Sequence, residues 1–204
     1  MVIEDDYDAE YRYDRTPIGA MQGLAPDQVV YAASASKTLA PGLRLGWLLV
    51  PSHLVGAVAT AKIAADRGSA VIDQLAFADF LSRGEFDRHL RQMRPIYRRR
   101  RDVMLHALQA RVPELEPTGI SAGMHLVTWL PADLDEATVV DAAASRGLRI
   151  CGLAPYRLSG DGPGGLIFGY ATLSDRAIVE GVDLLAAALA DVRAHARPAR
   201  TSTA

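Results

Sequence analysis

Three short apolar runs open this chain: "MVIED" at 1–5, "DQVVYAAS" at 27–34 and "RLGWLLV" at 44–50. Their β-branched and aromatic residues mark them as buried strands. A sheet made from them must be covered on its faces, and that need limits the fold more than any other feature. Only two stretches with helical apolar spacing follow, 52–66 and 70–83, with Gly84 as a stop. Three strands and two helices cannot cover both faces of a sheet, so this half reads as incomplete by itself.

A long helical signal runs from Glu85 to about Arg111, with Pro95 expected to end or kink it. Beyond it the elements alternate. Strands are expected at 123–131, 148–153 and 165–173, and helices at 135–146, closed by Gly147, and at 174–195. The pattern is α/β or α+β, divided near Pro95. It gives expected units at 1–95 and 96–197, with a loose tail at 198–204.

Half of the 204 residues are hydrophobic and the formal net charge is -2, enough apolar mass for a packed core. Near-neutral charge gives no global reason to expect nucleic acid or an anionic membrane as partner. The single cysteine, Cys151, excludes an internal disulfide and suits a reducing cytoplasm. The acidic first fifteen residues are unlike a signal peptide, and no apolar run nears the roughly 20 residues of a membrane helix. His53, His89, His106, His125 and His195 lie far apart without metal-ligand spacing, so no metal is expected.

The chemistry concentrates in "SASKTLAPGLRLGW", residues 34–47. A lysine at the carboxyl end of a strand, desolvated or close to a cation, has a lowered pKa, and its free amine can attack a carbonyl. Arg44, seven residues after Lys37, is such a cation and a strong anion ligand, while Ser34 and Ser36 add hydroxyl donors. An aldehyde-reactive amine beside an anion cradle is what holds pyridoxal phosphate as a Schiff base. That cofactor also needs a carboxylate at its pyridine nitrogen. In "IEDDYDAEY" strand alternation points Asp5 and Tyr7 to one face and Glu4 and Asp6 to the other.

The blocks "EDDYDAEYRY", "VVYAASASKTLAPGLRLGW", "HLRQMRPIYRRRRDVML" and "AGMHLVTWLP" together resemble a fold-type-I aminotransferase. They are most similar to the aminotransferase-like domain of the MocR subfamily of GntR regulators. The resemblance implies an incomplete large-domain sheet of the pyridoxal 5′-phosphate transferases followed by a small α+β C-terminal domain. It implies Lys37 as the aldimine-forming lysine, Asp5 at the pyridine nitrogen and Tyr7 at the phenolic oxygen. Ser34, Ser36 and Arg44 would take the phosphate. Members of that subfamily carry an N-terminal winged helix-turn-helix, absent from this chain. No direct DNA contact is therefore expected from this segment, and the full-length form is expected to be a cytoplasmic homodimer. Transaminating relatives have an arginine for the substrate carboxylate in the late strand. Ile167 stands there instead, with Arg157 the nearest substitute.

Three functions follow: an effector domain that senses an amine or amino acid through Lys37, a class I/II aminotransferase, or a fragment that binds no cofactor. Other features carry less. "GDGPGG", 160–165, precedes a strand rather than a helix and reads as a hairpin connection, not a dinucleotide loop. The seven arginines of "RHLRQMRPIYRRRRDVM" read as a solvated helix face, Cys151 as buried core, and Trp47 and Trp129 as packing residues.

Overall fold

The computed structural model describes residues 1–7, 9–13, 19–119, 123–160 and 162–196. The expected tail, and Asp161 within the hairpin connection, lie outside the described residues. The chain forms two compact units, Met1–Arg94 and Pro95–Ala204.

In the first unit, β1 (Val2–Asp6) pairs in parallel with β2 (Val29–Ser34), which pairs antiparallel with β3 (Gly46–Leu49). Gly46 permits the close approach of β3, since a Cβ there would meet the Ala33 carbonyl oxygen at 3.0 Å. Two helices follow, α1 (Val55–Asp66) and α2 (Val71–Ser82), and neither buries a residue fully. Ile3, Leu48, Ile63 and Ile72 are exposed. The apolar faces that the sequence provides thus have too little to pack against, as the element count requires.

Helix α3 (Glu85–Arg111) continues through Pro95, so the helix does not end there, one of the two outcomes expected. Proline removes one intrahelical hydrogen bond, and the helix continues across that gap. The Arg94 guanidinium donates to the Glu10 carbonyl at 2.6 Å, and Arg99 pairs with Asp175 at 2.6 Å. Of the seven arginines expected on a solvated face, Arg88, Arg91, Arg98 and Arg99 are exposed, and Arg101 is the exception. Arg101 is 5% exposed and its guanidinium donates to the Asp102 carboxylate at 2.9 Å, while Arg100 donates to the Ala171 carbonyl.

The second unit has a closed core. Its antiparallel sheet runs in the order β4 (Pro117–Thr118), β5 (His125–Trp129), β7 (Gly165–Gly169), β6 (Cys151–Gly152), with α4 (Glu136–Ser145) and α5 (Asp175–Ala196). Register pairs Leu126 with Phe168 and Thr128 with Leu166, so four buried side chains share one face. Met104, Leu108 and Val112 of α3 and its C-terminal extension join that core at helical spacing, as do Ile178, Val182, Leu185 and Leu189 of α5. Asp135 caps α4 by accepting from the Thr138 amide at 2.9 Å, which holds its carboxyl below the usual range.

Three sequence expectations are corrected here. The strand expected over 148–153 shrinks to Cys151–Gly152 at the sheet edge, where Cys151 is exposed rather than core. The two-residue strand β4 had no sequence signal of its own. Trp129 is 43% exposed, whereas Trp47 stacks on Phe77 with ring centroids 6.0 Å apart.

The hydroxyl of Thr128 is fully buried without a hydrogen-bond partner among the described residues. Thr128→Val keeps the shape and removes an unsatisfied polar group. Urea denaturation should therefore show a gain of about 1 kcal/mol in unfolding free energy.

Candidate functional site

Because β1 and β2 run in parallel, with Asp5 opposite Ala32 and Asp6 opposite Ala33, their carboxyl ends meet at one edge of the sheet. β3 begins at that same edge, with Gly46 opposite Ser34. The strand register thereby gathers Asp5, Tyr7, Ser34, the Lys37 loop and Arg44 from a span of forty residues. This edge is where open α/β sheets bind ligands.

Within β1 the two acids Glu4 and Asp6 face one way and Asp5 the other, and Tyr7 follows the strand in a bend. Glu4 accepts hydrogen bonds from the amides of Met21 (2.9 Å) and Gln22 (3.0 Å), and Asp6 accepts from the Tyr31 hydroxyl at 3.0 Å. Both acids on that face are occupied in holding structure. Asp5, on the other face, is exposed and has no hydrogen bond or ion pair among the described residues. Lys37 and Arg44 are likewise exposed and unengaged. Tyr7 is 46% exposed.

The loop carrying the lysine is tightly built. The Leu39 amide donates to the Ala35 carbonyl at 2.9 Å and the Ala35 amide to the Leu45 carbonyl at 3.0 Å, with Ala35 fully buried. The Thr38 carbonyl accepts from the Tyr11 hydroxyl at 3.2 Å and lies 2.8 Å from Nε2 of His89. A short 3-10 turn, Pro41–Leu43, then delivers Arg44 in the left-handed region at φ 51°. A residue with a Cβ is strained there, by roughly 1–2 kcal/mol.

A cleft of about 1400 Å³ opens within the first unit, and Asp5, Ser34 and Arg44 line its end at the sheet edge. Lys62 and Asp66 of α1 line it as well and pair with each other, which draws the Asp66 carboxyl below its ordinary value. Lys37, Ser36 and Tyr7 are not among its lining residues. The chain has two lysines, so Lys37 is the one whose amine is uncommitted.

Arg157 lies in the second unit, where its Nη1 donates to the Gly162 carbonyl at 2.7 Å and closes its own loop, while Nη2 is buried without a partner. Glu136 anchors the ends of the same connection, accepting from the amides of Ala154 (2.7 Å) and Gly165 (2.8 Å). The segment leads into strand β7, not a helix, so it is a hairpin connection as the sequence suggests. Among the described residues no group of acids, histidines and cysteine could hold a metal, and no helix is long and apolar enough to cross a membrane.

Comparison with known proteins defines the class. The sequence model for aminotransferase class I and II matches residues 7–160, and the chain belongs to that family. It is 33% identical over 191 residues to the uncharacterized HTH-type transcriptional regulator YhdI of Bacillus subtilis, across 93% of this chain and 41% of that protein. It is also 33% identical over 189 residues to the probable rhizopine catabolism regulatory protein MocR of Rhizobium meliloti, across 92% of this chain and 38% of that one. Among solved structures it resembles LysN, the α-aminoadipate aminotransferase of Thermus thermophilus, with a TM-score of 0.88 at 29% identity. That match covers 95% of this chain and 51% of LysN, which was solved with N-(5′-phosphopyridoxyl)-L-leucine. The fold is therefore fold type I, of which this chain spans about half. The cofactor of the family is pyridoxal 5′-phosphate. An unpaired carboxylate, amine and guanidinium at one sheet edge suit its ring nitrogen, aldehyde and phosphate.

Arg44→Gly should relieve the left-handed strain and raise stability by roughly 0.5–1 kcal/mol in urea titration, while weakening capture of a phosphorylated aldehyde. The Tyr31 phenol gives a second test. Burial, then its bond to Asp6, raise its pKa from 10.0 to about 12. The folded state keeps that proton longer than the unfolded chain. Stability therefore falls as pH rises from about 10 to 12, and Tyr31→Phe should flatten that slope in pH-dependent denaturation.

Proposed function

We propose that this chain forms the cofactor-binding part of an aminotransferase-like effector domain in a MocR-type transcriptional regulator, where Lys37 senses an amine or amino acid. The observation that carries this reading is the trio of unengaged groups, Asp5, Lys37 and Arg44, at a single sheet edge. These groups come from β1 and from the connection between β2 and β3, and in this reading they are the ones that take the cofactor.

When bound, pyridoxal 5′-phosphate supplies an aldehyde that condenses reversibly with amines and a ring that withdraws electrons from the adduct. Lys37 would present the primary amine. The Asp5 carboxylate would hold a proton at the ring nitrogen, and the Tyr7 hydroxyl would donate to the phenolic oxygen. Arg44 would take the phosphate in charge-assisted hydrogen bonds, with the hydroxyls of Ser34 and Ser36 beside it. In this reading residues 1–95 belong to the cofactor-binding large domain and 96–197 to the small one. The full-length protein works as a cytoplasmic homodimer.

Sensing is favoured over turnover by Ile167, which occupies β7 and pairs in register with Val127 and Cys151. An apolar side chain cannot fix a substrate carboxylate. The regulators among the relatives point the same way. The second reading, a class I/II aminotransferase, draws on the likeness to LysN and to 2-aminoadipate transaminase of Thermus thermophilus. It assigns the substrate carboxylate to the unpartnered Nη2 of Arg157.

Borohydride reduction in the presence of pyridoxal phosphate should label Lys37 and leave the Lys37→Ala chain unlabelled. Equal label on the two chains, or label on Lys62 alone, contradicts the assignment. No label on either chain identifies the chain as a part that binds no cofactor. Keto-acid-dependent turnover would favour the enzyme.

A further inference from the structure

Resting on the assignment of Lys37 above, we infer that Tyr11 and His89 are positioning residues that clamp the Thr38 carbonyl and hold the Lys37 backbone in one conformation. Neither side chain need reach the cofactor. They act through the peptide carbonyl one residue beyond the amine.

The clamp has two jaws. The Tyr11 hydroxyl donates to the Thr38 carbonyl oxygen at 3.2 Å from a fully buried ring, 27 residues away in sequence. Nε2 of the half-buried His89 approaches the same oxygen at 2.8 Å from 51 residues away. A carbonyl oxygen only accepts, so His89 must carry its proton on Nε2. Two donors fill both lone pairs of the oxygen. The local turn does not need them, because the Leu39 amide already closes it on the Ala35 carbonyl at 2.9 Å. What the two long-range bonds add is a fixed origin for the side chain of Lys37.

The burial step supports this. Thr38 is 5% exposed while Lys37 beside it is exposed, so the backbone is held inside and the amine projects outward. A lysine side chain has rotamer entropy to lose when it is fixed. Holding its backbone beforehand keeps the cost of capture to the side chain alone.

The test uses the 204-residue chain with Tyr11→Phe, His89→Met and His89→Gln. Glutamine retains a donor near the Nε2 position and methionine does not. Two readouts are taken: hydrogen exchange over residues 35–39 without cofactor, and the ratio of pyridoxal phosphate captured on Lys37 to that on Lys62 after borohydride. Tyr11→Phe and His89→Met should each speed exchange in that segment about five-fold, the equilibrium worth of one net hydrogen bond. Each should lower the capture ratio by a similar factor, while His89→Gln restores both. If Tyr11→Phe does not fold, the two His89 variants decide alone. Unchanged exchange, or faster exchange with an unchanged capture ratio, overturns the inference. So does failure of glutamine to restore what methionine loses. Absence of Lys37 capture in the parent chain defeats the cofactor assignment instead, and exchange alone then decides whether the clamp holds the loop.

Discussion

Everything at the candidate site depends on the parallel pairing of β1 with β2. Had these strands run antiparallel, Asp5 and Lys37 would lie at opposite ends of the sheet, roughly 15–20 Å apart for strands of this length. Parallel register opposes Asp5 to Ala32 and sends both chains out at one edge. Arg44 lies in the connection from β2 into antiparallel β3, whose first residue Gly46 faces Ser34, so it stays at that end. Charged residues from two segments, β1 and the connection between β2 and β3, lie at one end of the sheet because of backbone hydrogen bonding, before any side chain is considered.

The side chains divide the labour by face. On one side of β1, Glu4 and Asp6 are consumed by the amides of residues 21–22 and by the Tyr31 phenol, and so hold the sheet to its surroundings. On the other, Asp5 remains unengaged. The same economy distinguishes the lysines, since Lys62 is paired with Asp66 and Lys37 is not. Strain at Arg44 fits the pattern, because a left-handed arginine costs stability that a glycine would not.

How much of this was legible in the sequence varies with the range of the interaction. Strands and helices of the first unit, and the facing of Asp5 away from Glu4 and Asp6, follow from local periodicity. So does the shortage of covering elements, now visible as exposed Ile3, Leu48 and Ile72. The continuity of α3 did not follow, since local rules favour an end or a kink at Pro95. The exposure of Cys151 was hidden because an apolar run says nothing about being an edge strand. Tyr11 sits in a legible motif but its partner does not. His89 has no local mark that ties it to a carbonyl 51 residues earlier.

The central claim is that Asp5, Lys37 and Arg44 grip one small heterocycle. A crystal structure of the chain grown with pyridoxal 5′-phosphate tests it most directly. The account predicts continuous density from Lys37 Nζ to the ring, the Asp5 carboxylate within hydrogen-bond distance of the pyridine nitrogen, and the phosphate on Arg44. Density for the cofactor at Lys62, or a ring nitrogen that faces solvent with Asp5 out of reach, would contradict it.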